Sequence, residues 1–325
     1  MGAFIEVTET GGPEVLKLAQ RDVPTPGAGE ALVRQTAIGL NYIDVYFRTG
    51  LYPAPSMPFT PGMEGAGVVE AVGEGVTVVK PGDRVAYASA PVGAYAEERL
   101  IAADRLMIVP EGISDDEAAA MMLQGMTAQY LLRQTFKVKA GNTVLFHAAA
   151  GGVGLIAGQW GKSLGATMIG TAGSPEKMEL AKANGYDHVI NYRDEDFVER
   201  VMEITGGAKC DVVYDSVGKD TFPGSLDCLK TRGMWASFGQ SSGKLPDVDL
   251  GILAAKGSLF ATRPTLFNYI ATRSQLEETA GDLFEVVQSG AMKIAINQTF
   301  PLADAKGAHE ALEGRRTVGS TLLKP

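Results

Sequence analysis

The chain has 325 residues, enough for one large domain or two. Hydrophobic residues at 45% and charged residues at 21% exclude a chain that is mainly disordered. Against 38 Asp and Glu stand 29 Lys and Arg, a net charge of −9, and no run of clustered basic residues offers a polyanion footprint. Two cysteines, Cys210 and Cys228, exclude a disulfide scaffold and a thiolate-rich metal site, and they fit a reducing compartment.

Forty glycines, about one residue in eight, imply many tight turns and places where backbone approaches backbone or ligand. The opening MGAFIEV lacks the basic-then-apolar order of a secretory signal, and Glu6 stands where a myristoylation site needs Ser or Thr. The uncharged stretch between Lys139 and Lys162 is long enough to suggest a membrane span. It contains Asn142, His147, Gln159 and AAAGGVG, however, and reads as strand, turn and helix. The cytoplasm is the expected compartment.

In chain order, the first part reads as β-rich. Strands are expected at Glu30–Ala37, Gly65–Val72 and Arg84–Tyr87, each next to a glycine- or proline-bearing turn, so a small barrel or sandwich is expected. Ser114 and Glu117 form a capping signature that opens a helix. From Thr143 onward strands and helices alternate. TVLFHA, ATMIGT, HVI, CDVVYDS, GMWASFG and GSLFAT read as six strands. VGLIAGQWGKSLG, SPEKMELAKANG (capped by Ser174) and DEDFVERVMEITGG read as helices between them. The order implies an α/β fold, a doubly wound parallel sheet of Rossmann type after a smaller β-rich domain. The tail from Pro264 is expected to hold one or two helices and a last strand near Gly319–Leu323, packed back on the first domain.

Ala149-Ala150-Gly151-Gly152-Val153-Gly154 fits the dinucleotide turn G-x-G-x-x-G with alanine first. Backbone at Gly151, Gly152 and Val153 can approach a pyrophosphate, and the following helix offers free N–H groups. NAD-binding turns carry an acid roughly 20 residues on. Here that place holds Thr171, followed by Ala172-Gly173-Ser174, with no acid. Ser174, Lys177 and Tyr192 offer donors for a 2′-phosphate, although Glu176 opposes them, and NADPH is expected over NADH.

AIGLNYIDVYFRTGLYP, PGMEGAGVV, KPGDRVAY, HAAAGGVGLIAGQW, VVYDSVG, SFGQSSG and TRPTL follow one another over nearly the whole chain. In this set the sequence resembles the medium-chain dehydrogenases/reductases, more closely their zinc-free, zeta-crystallin-like quinone oxidoreductase branch. The resemblance implies a GroES-like catalytic domain at 1–124, a Rossmann domain at 125–262, and a return to the catalytic domain at 263–325. Zinc-dependent members place a metal-binding Cys where this chain has Asn41 and a His where it has Met63, so a metal-free site is expected. Glu64 is expected to be a structural carboxylate paired with a nearby base. The resemblance sets Asn41 and Tyr46 near the nicotinamide and Tyr52 in the substrate cleft. Either tyrosine would bond or stack on a quinone, an amphipathic wall role being the alternative. Asp44 would fix a ribose or a side chain, or make a structural salt bridge. Gln124 and Thr127, at the start of the linking helix, would touch the nicotinamide side. The family's other cofactor contacts map onto Tyr130, Ser216, Phe238, Gly239, Gln240, Ser241 and Ser242. They continue at Thr262, Arg263 and Pro264 in TRPTL and at Arg315, where Arg316 is an alternative.

Without a metal, the acceptor must already be electrophilic, and a quinone or conjugated enone qualifies because its oxyanion is delocalised. NADPH-dependent quinone reduction is the leading expectation, with enone or 2-alkenal reduction as the alternative. A crystallin-like structural or RNA-binding protein carrying NADPH is the reading of another class. The family also implies a homodimer joined through the last Rossmann strand. His147 is expected to be packed and hydrogen-bonded, and His188 and His309 to lie at surface or helix positions.

Overall fold

The computed structural model describes residues 1–325. In chain order come β1 (Gly2–Glu6), β2 (Lys17–Arg21), β3 (Glu30–Leu40), α1 (Tyr42–Arg48), β4 (Glu64–Val72) and β5 (Arg84–Ala88). β6 (Glu98–Ala102), β7 (Met107–Ile108) and α2 (Asp115–Tyr130) follow. Then strands and helices alternate: β8 (Thr143–Phe146), α3 (Gly152–Ser163), β9 (Thr167–Ala172), α4 (Pro175–Ala183), β10 (His188–Asn191), α5 (Phe197–Ile204), β11 (Cys210–Asp215). α6 (Gly224–Asp227), β12 (Leu229–Ser237), α7 (Gly251–Ala255), β13 (Phe260–Thr262) and α8 (Leu266–Tyr269) close this region. The tail holds α9 (Arg273–Gln288), β14 (Ile296–Pro301), α10 (Ala305–Glu313) and β15 (Ser320–Lys324).

The chain divides into two compact units. One comprises Met1–Met126, Ile270–Gln288 and Ile294–Pro325; the other comprises Thr127–Tyr269 and Ser289–Lys293. The first is built on one seven-stranded sheet, order β14-β15-β3-β4-β5-β7, with β6 also on β3 and β1–β2 as a separate pair. β3 is its axis. It pairs with β4, β6 and β15, which explains why its residues are buried along nearly the whole length rather than alternating. β15 sets Thr321 opposite Leu40 and Leu323 opposite Ile38. The tail thus supplies two strands, where the sequence suggested one, and the two helices α9 and α10.

The second unit carries a six-stranded parallel sheet, order β10-β9-β8-β11-β12-β13. This is the doubly wound order, with its switch point between β8 and β11. Leu145, Ile169, Ile190, Val213 and Trp235 fill the core together with Cys210 and Cys228. Both thiols are free and buried; burial, with Asp211 adding to it, pushes the Cys210 thiol up to about 12. The uncharged stretch after Lys139 forms β8, its turn and α3, and no helix is long and apolar enough to cross a membrane. Two boundaries differ from expectation. α5 starts at Phe197 because Asp196 caps it, accepting from the Val198 and Glu199 amides. β12 begins at Leu229, four residues before GMWASFG, where Leu229 pairs with Cys210.

Candidate active site

In the parallel-sheet unit, the carboxyl ends of the strands bring the expected cofactor-binding residues onto one side. After β8, Ala148 adopts a left-handed conformation (φ 57°), and Gly151 is the N-cap of α3. A Cβ at Gly154 would sit 2.5 Å from the Ala148 carbonyl and 2.6 Å from that of Ala149. That glycine is therefore fixed by close strand–helix packing. At Gly151 a Cβ would meet only the Ala148 carbonyl, at 3.3 Å, so one face of the turn is open. No side chain caps α3 and no acid stands in its first turn, which fits a pyrophosphate.

After β9, the Ser174 hydroxyl accepts from the Lys177 amide and caps α4. It also holds the Glu176 carboxyl below its usual value, so the serine is committed to the helix start. Tyr192 lies beside it. A Cβ on Gly173 would be 2.5 Å from the Tyr192 hydroxyl, and the ring is 41% exposed.

The loops after β11, β12 and β13 are knitted together. A Cβ at Gly239 would be 2.5 Å from the Ser216 carbonyl, and the Ser241 and Ser242 amides donate to Ser216 and Val217. Arg263 donates to the carbonyls of Ser237 (2.7 Å) and Gly239 (3.1 Å). Beneath them lies Asp215, which the sequence reading missed. Its Oδ1 accepts from the Val217 and Gly218 amides (2.9 and 3.0 Å) and from Thr221. Its Oδ2 accepts from Ser225 (2.9 Å) and Trp235 Nε1 (3.3 Å). Burial works against ionisation, yet His147 and these donors hold the carboxyl below its ordinary value. His147 is packed as expected, bridging Thr171 and Ser225 at 3.1 Å each. In the same unit Tyr130 stacks on Tyr269, ring centroids 4.4 Å apart. Thr127 is buried; it and Gln124 lie in the second half of α2 rather than at its start, because α2 begins at Asp115.

In the other unit, Asn41 is the N-cap of α1, and its amide donates to Asp44 Oδ2 (2.9 Å), closing a capping box. The Tyr46 ring lies 5.5 Å from that of Tyr42 and 5.1 Å from that of Tyr52, an aromatic row along α1 and the loop beyond it. Arg315 is exposed, and its charge favours ionisation of Tyr42, which burial opposes.

Two buried carboxyls stand behind this row. Asp44 makes no salt bridge: Oδ2 accepts from the Asn41 amide and from Tyr95 (3.0 Å), while Oδ1 has no partner. Burial raises Asp44 to about 7. Behind Tyr95, His309 sits on helix α10, one of its two expected settings, and is fully buried rather than at the surface. Its Nε2 lies 3.0 Å from Tyr95 Oη and its Nδ1 3.1 Å from Arg48, which pairs with Glu313 at 2.8 Å. Burial and Arg48 push His309 down to about 3. It is therefore neutral, accepting from Arg48 at Nδ1 and donating to Tyr95, which donates to Asp44.

Glu64 also departs from expectation, because its partner is an amide and not a base. Oε2 lies 2.6 Å from Asn41 Nδ2, and Oε1 accepts from the Leu123 amide at 2.7 Å. Asn41 Oδ1 lies 3.1 Å from Gln124 Nε2, whose Oε1 is 2.7 Å from Ser320 Oγ. Burial raises Glu64 to about 8, with Asp44 adding to it. Asn41 and Gln124 are thus brought together, and the row of Tyr46 and Tyr52 continues from the same helix.

A catalytic zinc does not fit the residues here. Asn41 is spent on Glu64 and Gln124, Met63 is a buried thioether, and no three His, Cys, Asp or Glu side chains gather into a ligand set.

Residues 27–138 match the alcohol dehydrogenase GroES-like domain and residues 152–285 the zinc-binding dehydrogenase domain. The chain is 53% identical to a quinone oxidoreductase of Pseudomonas aeruginosa and 52% identical to quinone oxidoreductase 1 of Escherichia coli, over all of each chain. It is 47% identical to a 2-haloacrylate reductase of a Burkholderia species, over 98% of each. The crystal structure of the Escherichia coli quinone oxidoreductase complexed with NADPH superposes with a TM-score of 0.98 at 52% identity, covering 99% of this chain and all of that one. With its GroES-like and Rossmann regions in family order, the chain belongs to the quinone oxidoreductase branch of the medium-chain dehydrogenases/reductases.

Proposed function

We propose that the protein is an NADPH-dependent quinone oxidoreductase that works without a metal. The observation that carries this reading is the replacement of a zinc-ligand set by Asn41 and Met63 in a chain so similar, end to end, to a quinone oxidoreductase solved with NADPH. Bound NADPH supplies a hydride, and one proton from water completes the hydroquinone. Gly151, Gly152 and Val153 hold the pyrophosphate through backbone amides. Lys177 and Tyr192, with the backbone at Gly173 and Ser174, receive the 2′-phosphate. Ser216, the Phe238–Ser242 loop and Thr262–Pro264 line the nucleotide crevice, with Thr127, Tyr130 and Arg315 as further contacts. Asn41, Tyr46, Tyr52 and Gln124 orient the acceptor, the tyrosines by hydrogen bonding or stacking, and Asp44 braces Asn41 from behind.

NADPH oxidation measured against a panel of quinones, with a chelator present, tests the reading. Turnover of 1,4-benzoquinone that survives chelation and prefers NADPH to NADH is expected. Equal efficiency with both nucleotides overturns the cofactor assignment, and zinc-dependent turnover overturns the metal-free one. The likeness to a 2-haloacrylate reductase favours a second reading, reduction of a conjugated double bond, so the panel includes a 2-alkenal and 2-chloroacrylate.

A homodimer through β13 belongs to the same proposal. β13 is the last strand of its sheet, and Phe260 on it is 58% exposed. Light scattering is expected to give twice the chain mass and Phe260→Lys to halve it; a monomeric parent discards this part. The two buried free thiols support a reducing cytoplasm.

A further inference from the structure

α2 does not end as a regular helix. Over Leu131–Thr135 the chain winds into a π-turn, where the Leu131 carbonyl accepts from the Phe136 amide at 3.2 Å. Such a turn carries an extra residue and so re-aims the side chains on either side of it. A second donor meets the same carbonyl, Tyr214 Oη from β11, at 2.8 Å. The turn also places Thr135 Oγ1 2.8 Å from Tyr269 Oη, and the two hydroxyls share a hydrogen bond. Tyr130, the last residue before the turn, stacks on the ring of Tyr269 with 13° between the planes.

Three stretches expected to contact the nucleotide meet around this tyrosine. Tyr130 is one, and it is buried, so what its ring can offer a ligand depends on how it is held. The second is Thr262–Pro264, which leads directly into α8. Leu266 at the start of α8 is buried in the core, and Tyr269 at its end makes the stack. The third is Phe238. Its ring centroid lies 5.6 Å from that of Phe146, which lies 5.6 Å from that of Tyr214. Burial raises the Tyr214 phenol well above its ordinary value, and Tyr269 is near enough to add to that rise.

We infer that Tyr269 is a positioning residue for NADPH: its ring holds Tyr130 by stacking, its hydroxyl is anchored on Thr135, and α8 carries that anchorage to the Thr262–Pro264 loop. Neither Tyr269 nor Thr135 is expected to touch the nucleotide. A near-parallel stack is one of the arrangements that aromatic pairs favour, and the hydrogen bond at the far end of the ring leaves it one orientation. A ring fixed in advance loses less freedom when a ligand arrives, so the gain appears as nucleotide affinity. The inference rests on the NADPH reading.

Titration of the NADPH-free protein, followed by the fluorescence of the nucleotide, measures the Kd directly. Tyr269→Leu, which keeps an apolar side chain and loses the stack, is expected to raise the Kd about tenfold. Tyr269→Phe keeps the ring and is expected to recover most of this, staying within about threefold of the parent. Thr135→Val removes the same hydrogen bond and is expected to match Tyr269→Phe, with the double variant no weaker than either. In turnover, Tyr269→Leu should raise KM for NADPH at least fivefold more than KM for benzoquinone. A folded Tyr269→Leu with the parent's Kd, or equal rises in both KM values, overturns the inference. If the leucine variant does not fold, the other variants decide: a Kd in Thr135→Val unlike that in Tyr269→Phe, or additive effects in the double variant, overturns it as well. A parent that binds neither NADPH nor NADH faults the cofactor reading and takes this inference with it. A parent that binds NADPH tightly, with all three variants unchanged, faults the inference alone.

Discussion

Asp215 and Glu64 are both fully buried carboxyls, one in each compact unit, yet their surroundings shift them in opposite directions. Asp215 collects two backbone amides, two hydroxyls and an indole N–H, and stays ionised against the pull of burial. Glu64 has the Leu123 and Met122 amides and one side-chain amide, with a second carboxyl close by, and is pushed up to about 8. Burial penalises both; the number of converging donors decides the outcome. An ionised carboxyl in a cage of donors is a rigid clamp, here on the loop after β11, α6 and β12. A carboxyl with fewer donors and a second carboxyl nearby holds its proton to higher pH.

Breaking the clamp is expected to have the largest effect. Asp215→Asn puts an amino group among donors, leaving at least one buried N–H or hydroxyl unmatched, at a cost of about 4 kcal/mol. Urea denaturation should show that loss, and NADPH affinity should fall by tenfold or more as the Ser216 and Gly239 loops separate. Stability within 1 kcal/mol of the parent would mean that Asp215 is not the ionised centre of its network.

Glu64→Gln probes the opposite carboxyl and should have the opposite sign. The folded value of Glu64, about 8, lies well above the ordinary value of a glutamate carboxyl. The folded state therefore binds the extra proton, and stability drains away as pH rises through that window. Glutamine removes this loss. At about 1.4 kcal/mol per pKa unit, and with the proton shared with Asp44, Glu64→Gln should gain about 2 to 3 kcal/mol over the parent between pH 5 and pH 9. A residual slope from Asp44 remains, since its value is also raised. Parallel stability curves for the two proteins would show that Glu64 is ionised throughout.

Local signals in the chain were legible. Ser114 and Glu117 close the capping box that opens α2, Ser174 caps α4, and AAAGGVG makes the turn into α3, because each motif fixes geometry within a few residues. The alternation of apolar runs and helical segments is enough for a parallel, doubly wound sheet. What could not be read are the partners. Gln124 and Ser320 are separated by 196 positions, Tyr95 and His309 by 214. Only pairing of β15 with β3, and packing of α10, brings them together. His309 looked like an ordinary helix residue, and Glu64 lacked a visible partner, because burial is a property of the folded chain. Asp215 did leave a sign, an acid at the end of an apolar strand, directly before the expected contact Ser216.

The smallest expected effect is that of Ser320→Ala, which removes one hydroxyl that meets Gln124 Oε1 at 2.7 Å and the Ala120 carbonyl at 3.0 Å. The Ala120 carbonyl keeps its place in α2, so only Gln124 Oε1 is left short of a donor, and urea denaturation should show a loss of about 1 to 2 kcal/mol. That is smaller than the loss expected for Asp215→Asn, because a neutral amide oxygen costs less to leave unmatched than a network built around a buried charge. Equal losses in the two variants would abolish the contrast between the two units.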